Sequence, residues 1–304
     1  ASQVALVPTW FLAVYLLAVL LVPVSRAAFK RFGMGSFWFL VGLAVVVDAA
    51  YFRLDMHGFG WVNYLLVWGA VHQLGFGWLD DRCARGGRGL LWLLGGLSLL
   101  VLLTELGPWP RSLVGVPGAE VSNTTPPHLP LLALAAFQFG AVRLSENLLR
   151  RALRNLRAWA ATVVVNGMIM SVFLWHSTVM MLLFGAALLV DGVGLAPYPG
   201  TGAWWLMKLA WIGLFAVVLL PVVGFVSRWE ILPSGGPAPS ALRQVAGSLI
   251  LGAGLGMLAY HGVVEAGSGR LSIVSLVLPF LGALIAGLIF NRRKADAVAG
   301  GSQS

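Results

Sequence analysis

With 304 residues, 59% hydrophobic and only 10% charged, and a mean hydropathy of +0.88, the chain is not a soluble globular domain, in which about a quarter of residues are charged. The net charge of +9 calls for no nucleic-acid partner, because basic residues flanking membrane spans and anionic lipid head groups account for it. The one cysteine, Cys83, excludes an intrachain disulfide framework, and neither a metal-ligand spacing, a P-loop nor a Gly-x-Ser-x-Gly elbow occurs.

About nine apolar runs follow one another, near residues 5–24, 35–52, 60–79, 89–106, 128–144, 162–190, 203–226, 244–264 and 271–290. Each suits a helix, since roughly 20 apolar residues cross a bilayer and a barrel strand would need about ten alternating ones. The chain therefore reads as an all-α integral membrane protein, a polytopic bundle of about nine transmembrane helices. The 162–190 run exceeds the bilayer and must tilt, kink near Gly185 or emerge before Asp191.

Basic residues alternate between loops. Arg26, Lys30 and Arg31 follow the first span, Arg82, Arg85 and Arg88 the third, and Arg150, Arg151, Arg154 and Arg157 the fifth. Arg228 and Arg243 follow the seventh, and Arg292, Arg293 and Lys294 the ninth, whereas the other loops hold only Arg53, Arg111 and Arg270. Cytoplasmic loops collect Lys and Arg, so the N-terminus is expected outside and the C-terminus in the cytoplasm. The chain opens Ala-Ser-Gln and enters a span almost at once, as a polytopic protein does when an odd number of upstream spans is missing. Leucines at helical spacing beside the arginines make residues 145–160 a candidate interfacial helix, or a site for an acidic nucleotide cofactor.

Intramembrane ionisable groups are functional candidates. Asp48, Arg53, Asp55 and Glu105 sit near the outer side, as snorkelling interface residues that pair with each other or as the lining of a polar cavity. Trp61, Trp68 and His72 share one face of the third span, a stripe that suits packing as well as binding. His176, in Leu174-Trp175-His176-Ser177, is either a general base or an interhelical hydrogen-bonder. The outer loop 107–128 is too rich in Pro and Gly for a helix, and carries Trp109, Arg111, Ser122, Asn123 and His128. Asn123-Thr-Thr also fits a glycosylation sequon. Gly252 and Gly256 read as a small-residue helix-packing pair. The Gly/Pro/Ser stretch after residue 230 marks a break, which divides the chain into a bundle at 1–230, a linker at 231–243, an added helix pair at 244–291 and a cytoplasmic tail at 292–304.

Trp10-Phe11-Leu12-Ala13-Val14-Tyr15 with Pro23 resembles the Trp-x-Leu segment of the membrane acyltransferase-3 family. Asn63-Tyr64-Leu65-Leu66-Val67-Trp68 with His72-Gln73-Leu74-Gly75-Phe76, Val114-Gly115-Val116-Pro117-Gly118 with Ser122-Asn123-Thr124, and Phe173-Leu174-Trp175-His176 resemble its actinobacterial members. The likeness covers about residues 5–230. It implies a bundle of about ten helices in a bacterial cell membrane, moving an acyl group, commonly acetyl, from acyl-CoA to a hydroxyl of an envelope glycan, a lipid or another small acceptor. His176 then becomes the catalytic candidate, with His72, Glu105, Arg111 and Asn123 on the substrate and the inner arginines on the cofactor phosphates. The family's Arg and His, about ten residues apart in its first span, have no counterpart here, and Tyr15 stands where some members have Glu. Two further readings stay open: a non-catalytic subunit packed against other membrane subunits or its own copies, and a lipid or solute transporter. Broken helix pairs or internal repeats would favour the transporter, and the sequence displays neither clearly.

Overall fold

The computed structural model describes residues 8–80, 88–113, 121–230, 239–264 and 271–288. Cys83, Arg82, Arg85, Arg270, the Val114–Gly118 stretch and the tail beyond residue 288 lie outside them. Among the described residues there are nine α-helices and no strand, each helix on one of the expected runs. They are α1 (Thr9–Phe32), α2 (Gly35–Arg53), α3 (Asn63–Leu79), α4 (Arg88–Leu106), α5 (Leu129–Ala152), α6 (Leu156–Leu189), α7 (Gly202–Glu230), α8 (Ala241–His261) and α9 (Ile273–Ile285). Seven are long and apolar enough to cross a membrane, while α3 and α9 are shorter. Apolar side chains such as Phe39, Val46, Leu91, Leu182 and Val217 face outward. This suits hydrocarbon as the solvent, where backbone polar groups must be satisfied within each helix.

The chain forms two compact units, residues 18–158 and residues 1–17 with 159–304. In the first, Phe37, Ala44 and Val47 of α2 and Leu66, Val67, Ala70 and Leu74 of α3 bury against Leu132 of α5. Trp92 of α4 and Phe139 of α5 close this core. In the second, Val179 of α6 packs on Leu219 and Val223 of α7. There Phe11 meets Phe173 at 4.7 Å, and the Thr9 hydroxyl donates to the Leu255 carbonyl at 3.3 Å.

Several local expectations change. Trp61 belongs to a 3-10 turn (His57–Val62) and stacks on Tyr64, so it is not on the α3 face of Trp68 and His72. Residues 145–160 are not a separate interfacial helix: α5 continues to Ala152, and a short turn leads into α6. Asn155 Oδ1 accepts from the Arg157 and Ala158 amides and caps α6. Replacing Asn155 with Ala should cost about 1 kcal/mol, read as a lower midpoint in denaturant titration of the detergent-solubilised protein. The long α6 runs unbroken through Gly185, to a turn in which Asp191, Gly192 and Gly194 have positive φ.

Close helix packing falls on other glycines than Gly252 and Gly256. A Cβ at Gly256 would meet nothing, and one at Gly252 would meet only Ala13 O, at 3.8 Å. The tight contacts join α4 to α5 and α8 to α9. A Cβ at Gly140 would lie 2.2 Å from Leu93 N and 2.7 Å from Gly89 O. One at Gly282 would lie 2.3 Å from Leu251 N and 2.8 Å from Gly247 O. A Cβ at Gly96 or Gly254, each one heptad after Gly89 or Gly247, would lie 2.3 Å from Phe137 N and 2.6 Å from Pro279 N, respectively. The two hairpins thus use the same glycine register, a repeat that the apolar sequence conceals.

Candidate functional site

The first unit holds a buried polar node at the end expected to face outward. Asp48, only 1% exposed in the last turns of α2, accepts four hydrogen bonds. Asn63 Nδ2 and His128 Nδ1 reach Oδ1 at 2.7 and 2.8 Å. Trp109 Nε1 and the Leu129 amide reach Oδ2, both at 3.0 Å. Four donors saturate a carboxylate. One of them is an amide of the first turn of α5, so the helix dipole adds to the attraction for negative charge. His128 is the N-cap residue of α5 and makes no side-chain cap bond; the Asp48 side chain takes that role from across the unit.

The node also orders the loop. Asn123 is fully buried, and its Nδ2 donates to Pro110 O at 2.7 Å and Ser112 O at 2.9 Å. The Asn123 main-chain carbonyl accepts the His128 amide at 3.1 Å. Tyr64 Oη donates to Thr124 O at 3.2 Å. A side chain so engaged serves the fold and is closed to a glycosylating enzyme.

The node leaves three buried polar atoms without a hydrogen-bond partner among the described residues, the amide oxygens of Asn63 and Asn123 and one ring nitrogen of His128. His128 lies between Tyr51 and Phe52, with ring centroids 4.8 and 5.1 Å away. Its Nε2 is buried and has no hydrogen-bond partner among the described residues. Since Nδ1 faces a carboxylate that only accepts, the neutral imidazole keeps its lone pair on Nε2. An oriented His with a carboxylate behind it is the arrangement of a general base.

A second polar node lies further along α3. Gln73, 2% exposed, sends Nε2 to Ser25 O at 3.1 Å and Ser25 Oγ at 3.0 Å. The Ser36 hydroxyl lies 2.7 Å from Gly33 O and 3.2 Å from Gln73 Oε1, and its one proton serves one of them at a time. His72 Nδ1 is 3.3 Å from Ser25 Oγ, and its ring leans edge-on against Phe76. Asn63 and Gln73 are ten residues apart on α3, so the nodes are separated by about 15 Å along its axis.

The residues singled out from sequence do not form one site. His72 belongs to the second node, around Gln73. Asn123 supports the loop around the Asp48 node. Glu105 and Arg111 pair with each other at the surface, and the Glu105 carboxylate holds the Arg111 guanidinium above its ordinary pKa. His176 lies in the other unit, with Nδ1 bonded to Phe173 O and Nε2 3.1 Å from the Ser177 hydroxyl. Both its nitrogens are thus engaged on its own helix. Asp48 does not pair with the exposed Arg53; it is buried against His128, which sequence reasoning left as one of several polar loop residues. The available signal was a lone Asp in an apolar run and a His directly before the Leu-Pro start of α5.

Fold and node define a class, a polytopic all-helical membrane protein with a buried carboxylate–imidazole pair. Compared with protein-family models, curated proteins and solved structures, the chain matches none.

Proposed function

We propose that the protein is a membrane acyltransferase, moving an acyl group, acetyl in the simplest case, from acyl-CoA to a hydroxyl of an envelope glycan, a lipid or another small acceptor. The reading rests on the sequence resemblance and on one observation: His128 is oriented by Asp48 and has an unpartnered Nε2. In this reading His128 takes the proton of the acceptor hydroxyl as its oxygen attacks the acyl carbonyl. The carbon–sulfur bond breaks, and the thiol leaves with that proton. Asp48 keeps the imidazole in the right tautomer and stabilises the cation formed.

The test is acyl release from radiolabelled acetyl-CoA by the chain in lipid nanodiscs, with a panel of glycan and lipid hydroxyls. His128→Gln should lower kcat/KM by about a hundredfold or more, as loss of a general base does, with thermal unfolding recorded in parallel. Full turnover in a folded His128→Gln variant would overturn the assignment. A second reading, a lipid or solute transporter, draws support from the glycine register shared by the α4–α5 and α8–α9 hairpins, since internal repeats are common in transporters. Substrate uptake into sealed vesicles without acyl turnover would select it.

A further inference from the structure

The second node, around Gln73, carries chemistry that the acyltransferase reading does not use. A serine within a helix ordinarily turns its hydroxyl onto a carbonyl three or four residues earlier. Ser25 Oγ instead meets His72 Nδ1 at 3.3 Å and Gln73 Nε2 at 3.0 Å. Gln73 donates, so the serine oxygen accepts there. In the His72 tautomer whose Nδ1 carries no proton, the serine proton points at the imidazole. The donor Gln73 is itself fixed, because both its amide protons go to Ser25 and the side chain is buried.

A hydroxyl with a base on one side and an immobilised amide donor on the other is an activated nucleophile. The base accepts its proton, and the amide donor fixes the direction in which the hydroxyl points. The distance to the base is on the long side, as such pairs often are without substrate. Ser25 and His72 are half-buried rather than sealed, and Arg26, Lys30 and Arg31 are exposed on the same end of α1. Those cations suit an acyl compound with an anionic handle.

We propose that Ser25 is a nucleophile with His72 as its base, and that it forms a covalent ester with activated acyl compounds, thioesters above all, entering from the Arg26–Arg31 end. Ser25 Oγ attacks the acyl carbonyl and forms the new carbon–oxygen bond. Its proton passes to His72 Nδ1. The carbon–sulfur bond breaks, and His72 returns the proton to the departing thiolate. Water, or a lipid hydroxyl at this depth, then cleaves the ester with His72 again as base, and the serine is regenerated. The site lies about 15 Å along α3 from the Asp48–His128 node, and its chemistry does not depend on that node.

The test treats the full chain in nanodiscs with p-nitrophenyl acetate and, separately, with a fluorophosphonate, followed by mass spectrometry of the α1 peptide. The expected result is one adduct, on Ser25, with labelling slowed at least tenfold in His72→Gln. Ser25→Ala should abolish the adduct while leaving thermal unfolding unchanged. Absence of an adduct on Ser25 in the folded protein, or unchanged labelling in a folded His72→Gln variant, would overturn the proposal. Ser25 labelling without acyl transfer to any acceptor would count against the acyltransferase reading alone. Acyl transfer with an unreactive Ser25 would count against this proposal alone.

Discussion

Asp48→Ala should be the most damaging single substitution in the first unit. It leaves the donors of Asn63, Trp109, His128 and Leu129 facing an emptied site. Each buried donor left without an acceptor costs about 1–3 kcal/mol, and more where the lost acceptor carried a charge. The lower end of that range is expected overall, because the loop can move and admit water. The start of α5 and the 107–128 loop share the same anchor, so they should loosen together. Denaturant titration in mixed micelles measures the loss, and limited proteolysis shows whether cleavage concentrates in the loop. Asp48→Asn should fall between wild type and Ala, since an amide keeps one accepting oxygen but adds two donors to a site already full of them. An Asp48→Ala protein as stable and protease-resistant as wild type would show that the node does not hold the fold.

The second large effect is expected at the hairpin glycines. Gly140→Val and Gly282→Val each put a side chain where the facing backbone already lies 2.2 and 2.3 Å from the nearest Cβ position. A backbone atom cannot rotate away as a side-chain tip can, so the two helices must separate. Overpacking of a fixed interface costs typically 1–3 kcal/mol. Here it also removes the close approach on which helix association in lipid depends, because apolar lipid gives the helices no hydrophobic reason to pair. Gly42→Ala and Gly167→Ala are the matched controls, since a Cβ at either meets nothing within 4 Å. Thermal unfolding followed by intrinsic tryptophan fluorescence should separate the two pairs of variants clearly. Equal stability of Gly140→Val and Gly42→Ala would refute the packing argument.

The candidate site was only partly legible from the chain. Asp48, as an acid in an apolar run, stood out as expensive and therefore purposeful. Nothing local said that its partner would be His128 rather than Arg53, five positions away. The pair is separated by 80 residues, and such a meeting is decided by how α2, α3 and α5 pack, not by any periodicity. His176 stood out on its flanking residues, yet its helix satisfies both ring nitrogens locally. Gly252 and Gly256 fitted a familiar spacing, whereas the glycines in close contact are spaced by a heptad, as antiparallel neighbours require when the same face must recur along a straight seam.

Composition and hydropathy by themselves determined that the protein is helical and belongs in a membrane, and where each helix runs. Both follow from short-range rules: the length of an apolar run, and the need of each backbone group for a partner within its own segment when the solvent is hydrocarbon. The tertiary structure alone decided that Asp48 is the acceptor for four donors from three other segments, that Ser25 faces His72, and that two hairpins share one glycine register. Such meetings join residues far apart in the chain, and an apolar sequence in an apolar solvent carries little pattern to announce which faces will touch.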